Sequence, residues 1–310
     1  MVSNRERTTF MSSVGWVDHD VFWRVGIGAS RPEKIAVGSG ARCLTLRSSG
    51  SDWFSVGHHF DGTRFELTVH SFEDPAMVLS RATVRDGHKE LAGDLSSWEK
   101  VPLLYVTYLR FEPWRDFVLL RILPSTGQIK VQRLEWYDNT YDKGYQGVLD
   151  VLELPDENVA LISVQRSSRL ILHDLDSGMQ RGTVELAGRG GNPHCQLDTA
   201  GKEIWATDYD TIVILERSDR RVLRRARLQE SRQFIGNFSF APDQDVCVVA
   251  RPFSGDVVGI DKATLRIRSA AKLGQQPLDV GALCRGEVIA RDWKTGDFLR
   301  GKLKRKWLIA

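Results

Sequence analysis

The sequence predicts an all-β fold, a single β-propeller of six or seven four-stranded blades, from three features. Helical periodicity is nearly absent. Apolar residues fall instead into short runs such as KIAVGS, RFELTVH, FVLLRIL, NVALISV, EIWATDY and VCVVA, separated by Gly, Pro, Asp, Asn and Ser. Many short strands at regular spacing describe a sandwich, a barrel or a propeller. The third feature is self-similarity, which selects among them. Residues 170–186, 212–228 and 257–273 each read as an apolar strand, a polar turn and a second strand closing on Leu186, Leu228 or Leu273, in steps of 42 and 45 residues. A period near forty residues is the length of one four-stranded blade.

The elements follow in order. A Gly/Pro turn opens a strand at Pro32, Pro193 and Pro277, where small or φ-restricted residues suit a backbone approaching a crowded axis. Strand openings near 32, 75, 148, 193, 236 and 277 leave one long step of 73 residues. It holds about five strands, including HKELAG, which favours six blades with an insertion over 85–100, while the total length also allows seven. The last unit, 277–310, has room for three strands. A ring must close, so the N-terminal segment 1–31, through TTFMSSV or VFWRVGI, is expected to pair with the C-terminal blade. No linker or charge block marks a second domain, so residues 1–310 are expected to form one.

Composition bounds the function. The 310 residues are 42% hydrophobic and 27% charged, a globular balance that argues against disorder, collagen and coiled coil. Net charge is +3, from 43 basic and 40 acidic residues, which does not point to nucleic acid. Cys43, Cys195, Cys247 and Cys284 form no CxxC and lie in strand-like runs, so buried free thiols are expected. Residues 1–11 lack an apolar signal core and no run reaches membrane length. The expected location is the cytoplasm, with no membrane contact and no cofactor. There is no phosphate loop, nucleophile elbow, HExxH or EF-hand loop.

Segments 188–228 and 257–280 resemble YVTN-type propeller repeats. The matches are Pro193, the AGK turn at 200–202, Trp205 and Ala206, then Asp261 and Thr264, then Asp292, Thr295 and Gly296. The resemblance is fair over 150–300, weaker over 25–60 and poor over 61–147. It implies a fold more than an activity, because propellers host enzymes and scaffolds alike. Gly-Asn-Pro-His at 191–194 is similar to the Gly-x-Pro-Arg-His turn of the cytoplasmic lactonase branch, without its Arg. That resemblance implies His194 as a polar group at the channel mouth.

Second strands read in register place Arg166, Arg251 and Arg291 at one position, with Asp208 in the equivalent strand. A ring of arginines would suit a carboxylate or phosphate, because guanidinium presents a planar fork of donors. The alternative is that each Arg pairs with an acid or lies in solvent, and Arg291 aligns equally well with third strands. Asp208 and Asp210 are spaced to face one way, though such residues usually hold turns. His58 and His59 point to opposite faces if extended, so no metal pair is expected. Tyr209, Trp114 and Trp293 fall at loop tips. The run Arg217, Arg220, Arg221, Arg224, Arg225 and Arg227 reads as charge on an outer strand guarding an edge, with a polyanion or partner patch second.

Two readings result. The first is a binding scaffold presenting a face at the channel mouth, for a protein partner or a small anionic ligand. The second is a lactonase-like hydrolase or lyase acting on a small anionic substrate, with Arg166 and Arg251 holding the anion and His194 as acid or base.

Overall fold

The computed structural model describes residues 148–305, apart from Gln165, Ala187, Arg189, Asn192, 229–232 and 242–243, with Val148, Leu149 and Arg305 as backbone only. It also describes the backbone of the strands between Val2 and Arg133. The chain divides into two compact units, Met1–Asn139 and Thr140–Ala310.

In the first unit, β1 (Val2–Ser3), β2 (Thr9–Ser12), β3 (Val21–Gly26) and β4 (Glu33–Ala36) form one antiparallel sheet in chain order. β5 (Leu44–Ser49), β6 (Asp52–His58), β7 (Arg64–Ser71), β8 (Val78–Arg85) and β9 (Leu91–Gly93) form a second, and β10 (Leu104–Arg110), β11 (Asp116–Leu123) and β12 (Gln128–Arg133) a third. Two expectations differ here. Pro32 precedes β4, the last strand of its sheet, and so does not open a first strand as expected. The N-terminal strands pair with one another and with β4, and no pairing of theirs with the C-terminal sheet is among the described ones. HKELAG does contribute a strand, β9, which pairs with β8. The rest of 85–100 beyond Arg85, with Cys43, His59 and Trp114, lies outside the described residues.

The second unit has four sheets. The first is β13 (Val148–Leu154), β14 (Val159–Val164), β15 (Arg169–Asp174) and β16 (Gln180–Glu185). β17 (Cys195–Leu197), β18 (Glu203–Asp208), β19 (Thr211–Glu216) and β20 (Val222–Arg227) form the next. β21 (Phe238–Phe240), β22 (Val246–Arg251), β23 (Asp256–Asp261) and β24 (Ile267–Lys272) follow, then β25 (Pro277–Ala282), β26 (Glu287–Asp292) and β27 (Phe298–Lys302). β28 (Lys304–Arg305) returns to the outer edge of β24. All neighbours are antiparallel, and here Pro193 and Pro277 do introduce first strands.

Burial explains why the sequence repeats. A strand sends alternate side chains to opposite faces, and the middle strands are buried on both. In β18, Ile204 and Ala206 join Leu154, Leu161 and Leu170 of the preceding sheet. Trp205 between them joins Phe238, Phe240 and Val249 of the following one. Val246, Val248 and Val257 then meet Val280, Val288 and Ala290. One sheet therefore cannot cover itself, and consecutive sheets stack face to face. Burial fades outward: β23 is buried throughout, whereas β20 and β27 hold no buried residue. The closing leucines seal each outer strand, with N–H groups donating to Ser168, Asp210 and Gly255 carbonyls. Cys195 and Cys247 are buried free thiols, pushed away from ionisation by desolvation.

The turns between third and fourth strands share one chemistry. Asp174 and Asp261 each accept N–H and hydroxyl bonds from the turn they start, at Ser177 and Thr264. The fifth turn residue is left-handed, as Gly178 and, at the same place in the next two sheets, Arg220 and Leu265. The Ser177 N–H, with the Ser177 hydroxyl and Arg181 beside it, holds the Asp174 carboxyl down to about 2 despite burial. Its folded value thus lies below the unfolded one near 3.9. Its contribution to stability is present above about pH 4 and is lost as pH falls toward 2. Asp174→Asn is therefore expected to lower the urea midpoint at pH 7 and to converge on wild type near pH 2. A constant gap at both pH values would refute this assignment.

Candidate functional site

Antiparallel order brings the loops joining second to third strands, and the crossovers between sheets, to one end of this unit. That end carries most of the candidate residues. Arg166 lies two residues beyond β14, exposed and left-handed at φ 58°. Tyr209 follows β18, also left-handed at φ 53°. Phe253 follows β22 and Trp293 follows β26, and they are 48% and 55% exposed. Phe253 meets Phe234 edge to face, with ring centres 5.0 Å apart. Four consecutive sheets therefore present Arg, Tyr, Phe and Trp at one loop position. Arg166, Tyr209 and Trp293 are residues the sequence singles out; Phe253 is not, and its signal lies in its place after Arg251-Pro.

The three arginines do not share one register. Arg251 is the last residue of β22, whereas Arg291 is the penultimate residue of β26 and so faces the other way. Arg291 is 4% exposed and stacks over the Phe298 ring at 5.2 Å. The last residue of β26 is Asp292, and the last of β18 is Asp208. Asp208, Arg251 and Asp292 are thus the equivalent set.

All three grip the crossover that leads into their own sheet. Asp208 is buried and accepts the Ser168 hydroxyl at 3.2 Å on Oδ1, while Ser168 in turn accepts the Gly190 N–H of the crossover at 2.6 Å. Its Oδ2 lies against Gly188 without a hydrogen-bond partner among the described residues. Burial raises its carboxyl above the ordinary range, the Ser168 bond opposes the rise, and Asp210 adds to it. The glycines are required: a Cβ at Gly191 would lie 2.4 Å from the Tyr209 nitrogen. Asp292 accepts the N–H groups of Gln275 and Gln276 on one oxygen and of Lys294 and Thr295 on the other. Arg251 inverts the polarity. Its Nη1 donates to the Leu228 carbonyl at 3.1 Å, while Asp256 on the neighbouring strand takes Nε and Nη2. Asp210 instead accepts from Arg227 at 2.7 Å, and no group of three or more metal-ligating side chains occurs among the described residues.

His194 stands at the same end, before β17. Thr207 holds its backbone through both N–H and carbonyl, at 2.8 and 2.9 Å. Its Nδ1 lies 3.7 Å from Asp150 Oδ2 of the preceding sheet, and both side chains are partly exposed. At that distance Asp150 is a neighbouring charge and not a hydrogen-bond acceptor for the imidazole. His58 ends β6 in the first unit.

The basic run is tied into the fold at most of its positions. Arg217 and Arg220 bond Glu157 of the preceding sheet. Arg224 bonds Glu203 and the Lys262 and Ala263 carbonyls of the following sheet. These residues bridge neighbouring sheets, a role beyond guarding an edge.

The antiparallel sheets are the architecture of known solved structures. Over 98% of this chain and 95% of the other, the structure superposes on the β-propeller domain of Cps50 (Swd1) from Myceliophteria thermophila with a TM-score of 0.66 and 11% identity. The chain folds as a β-propeller. A candidate 6-phosphogluconolactonase from Bacteroides fragilis is similar at TM-score 0.64 and 11% identity, over 96% and 93% of the two chains. No family model and no curated protein matches the sequence. No helix among the described residues is long and apolar enough to cross a membrane.

Proposed function

We propose that this propeller is a binding scaffold whose loop-bearing end engages a protein partner in the cytoplasm. The carrying observation is the row Arg166, Tyr209, Phe253 and Trp293 in equivalent loops, two of them large exposed aromatics. Aromatics and Arg are enriched where protein surfaces meet, because they bury much area with few rotatable bonds. The clasped crossovers beneath hold the loops in place, so little ordering is lost on binding. In this reading residues 1–310 form a single propeller of six or seven blades related to YVTN-type repeats.

The test is capture from a lysate of the source cells by immobilised wild type and by a Phe253→Ala, Trp293→Ala double variant. Trp293 and Phe253 are 55% and 48% exposed, and the ring packing lost is the edge-to-face contact of Phe253 with Phe234, so the thermal midpoint should fall only slightly. A protein retained by wild type and lost from the variant is expected. Equal retention by both would sink the proposal.

The second reading is a hydrolase or lyase acting on a small anionic substrate, favoured by the His194–Asp150 pair. There Asp150 would lie beside the imidazole and His194 would move the proton, with Arg166 or Arg251 beside the anion. A panel of lactones, sugar phosphates and carboxylates decides between the readings. A ligand that raises the midpoint of wild type but not of His194→Ala would put the enzyme first.

A further inference from the structure

Among the described residues the last sheet has three strands where the three before it have four or more. β13–β16 and β17–β20 have four strands each, and β24 carries β28 on its outer side. β27 has β26 on one side and, among the described residues, no strand on the other. A groove of about 610 Å³ runs along β24, β27 and β28. Lys272, Arg300, Lys302 and Lys304 line it, all exposed. The acids at hand are already engaged: Asp256 holds Arg251, and Glu287 holds Arg300. Lys272 donates to the Ser254 carbonyl at 2.6 Å, a neutral group that leaves its charge uncompensated. Leu273 lies beneath the groove, buried at 5% exposure. Gly301 presses so closely on it that a Cβ would lie 2.6 Å from a Leu273 methyl carbon.

We propose that this groove is a docking site for an extended acidic segment of a protein partner, which adds to β27 as a fourth strand. Strand addition takes its affinity from backbone bonds along the open edge and its selectivity from alternate side chains. Here carboxylates on the incoming strand meet Lys272, Lys302 and Lys304. The same lysines repel a basic or neutral edge, so the cation row selects an acidic strand. This surface is separate from the aromatic loop tips.

The experiment is fluorescence polarisation of the full chain with a labelled peptide of about six residues, alternating Glu and Val, titrated to millimolar protein. Saturable binding is expected. It should weaken by about tenfold or more in a Lys302→Glu, Lys304→Glu variant with unchanged circular dichroism. It should weaken similarly when alternate peptide nitrogens are methylated, which removes strand pairing and keeps the charge. Trp293→Ala should bind as wild type does, which separates this site from the loop-tip surface. Absence of binding, indifference to either change, or equally tight binding of a single-stranded oligonucleotide through the same lysines would each overturn the proposal.

Discussion

Trp205→Ala is expected to destabilise the protein by about 3–5 kcal/mol, the usual cost of emptying a large buried aromatic site. Trp205 is fully buried in the middle of β18. Its ring meets Phe240 edge to face at 5.3 Å, and its Nε1 donates to Glu203 at 3.1 Å. Glu203 is also the acceptor for Arg224, which reaches the next sheet. Truncation therefore opens a cavity between two sheets and removes the donor that helps orient Glu203. Urea unfolding followed by circular dichroism measures the loss. Trp205→Phe should recover most of the packing and none of the Nε1 bond, so its deficit should be clearly smaller. A deficit for alanine below about 1 kcal/mol would show that these two sheets do not depend on each other as described.

Asp292→Ala should cost about 3 kcal/mol, because four backbone N–H groups lose a charged acceptor in a site that is 1% exposed. Asp292→Asn keeps the shape but turns a donor toward N–H groups, so it should not restore stability. Burial alone would raise the carboxyl, yet the N–H groups of Gln276, Thr295, Gln275 and Lys294 outweigh it and hold it below the ordinary range. A lowered folded value means the contribution is complete above the unfolded value near 3.9 and disappears as pH falls through the folded one. The gap between wild type and Asp292→Ala should therefore narrow in acid. A gap that is the same at pH 7 and in strong acid would show that the charge is not what the crossover uses.

The parts of the fold legible in the sequence are those where one chemical need recurs unchanged. Leu186, Leu228 and Leu273 repeat because each outer strand needs an apolar seal where its hairpin closes. Asp174 and Asp261 repeat because each tight turn needs an acceptor for its N–H groups. The clasp was not legible, because its polarity alternates. A crossover offering N–H groups takes Asp208, by way of Ser168, or Asp292, and one offering a carbonyl takes Arg251, so aligning like residues with like put Arg291 beside Arg251. One residue of slip in a strand reverses the face, and Arg291, buried and stacked on Phe298, therefore faces away from the position Arg251 holds. Pro32 misled for a related reason. A proline before a strand marks its start but not its rank within a sheet.

The clasps also give assembly a direction. The crossover that leaves β16 is not latched until Asp208 has been made, the one leaving β20 waits for Arg251, and the one leaving β24 waits for Asp292. As the chain emerges from the ribosome, each of these sheets is finished by a residue belonging to its successor. A sheet made without its successor therefore keeps its exit crossover unlatched. A chain that stops short of residue 292 leaves the final clasp undone.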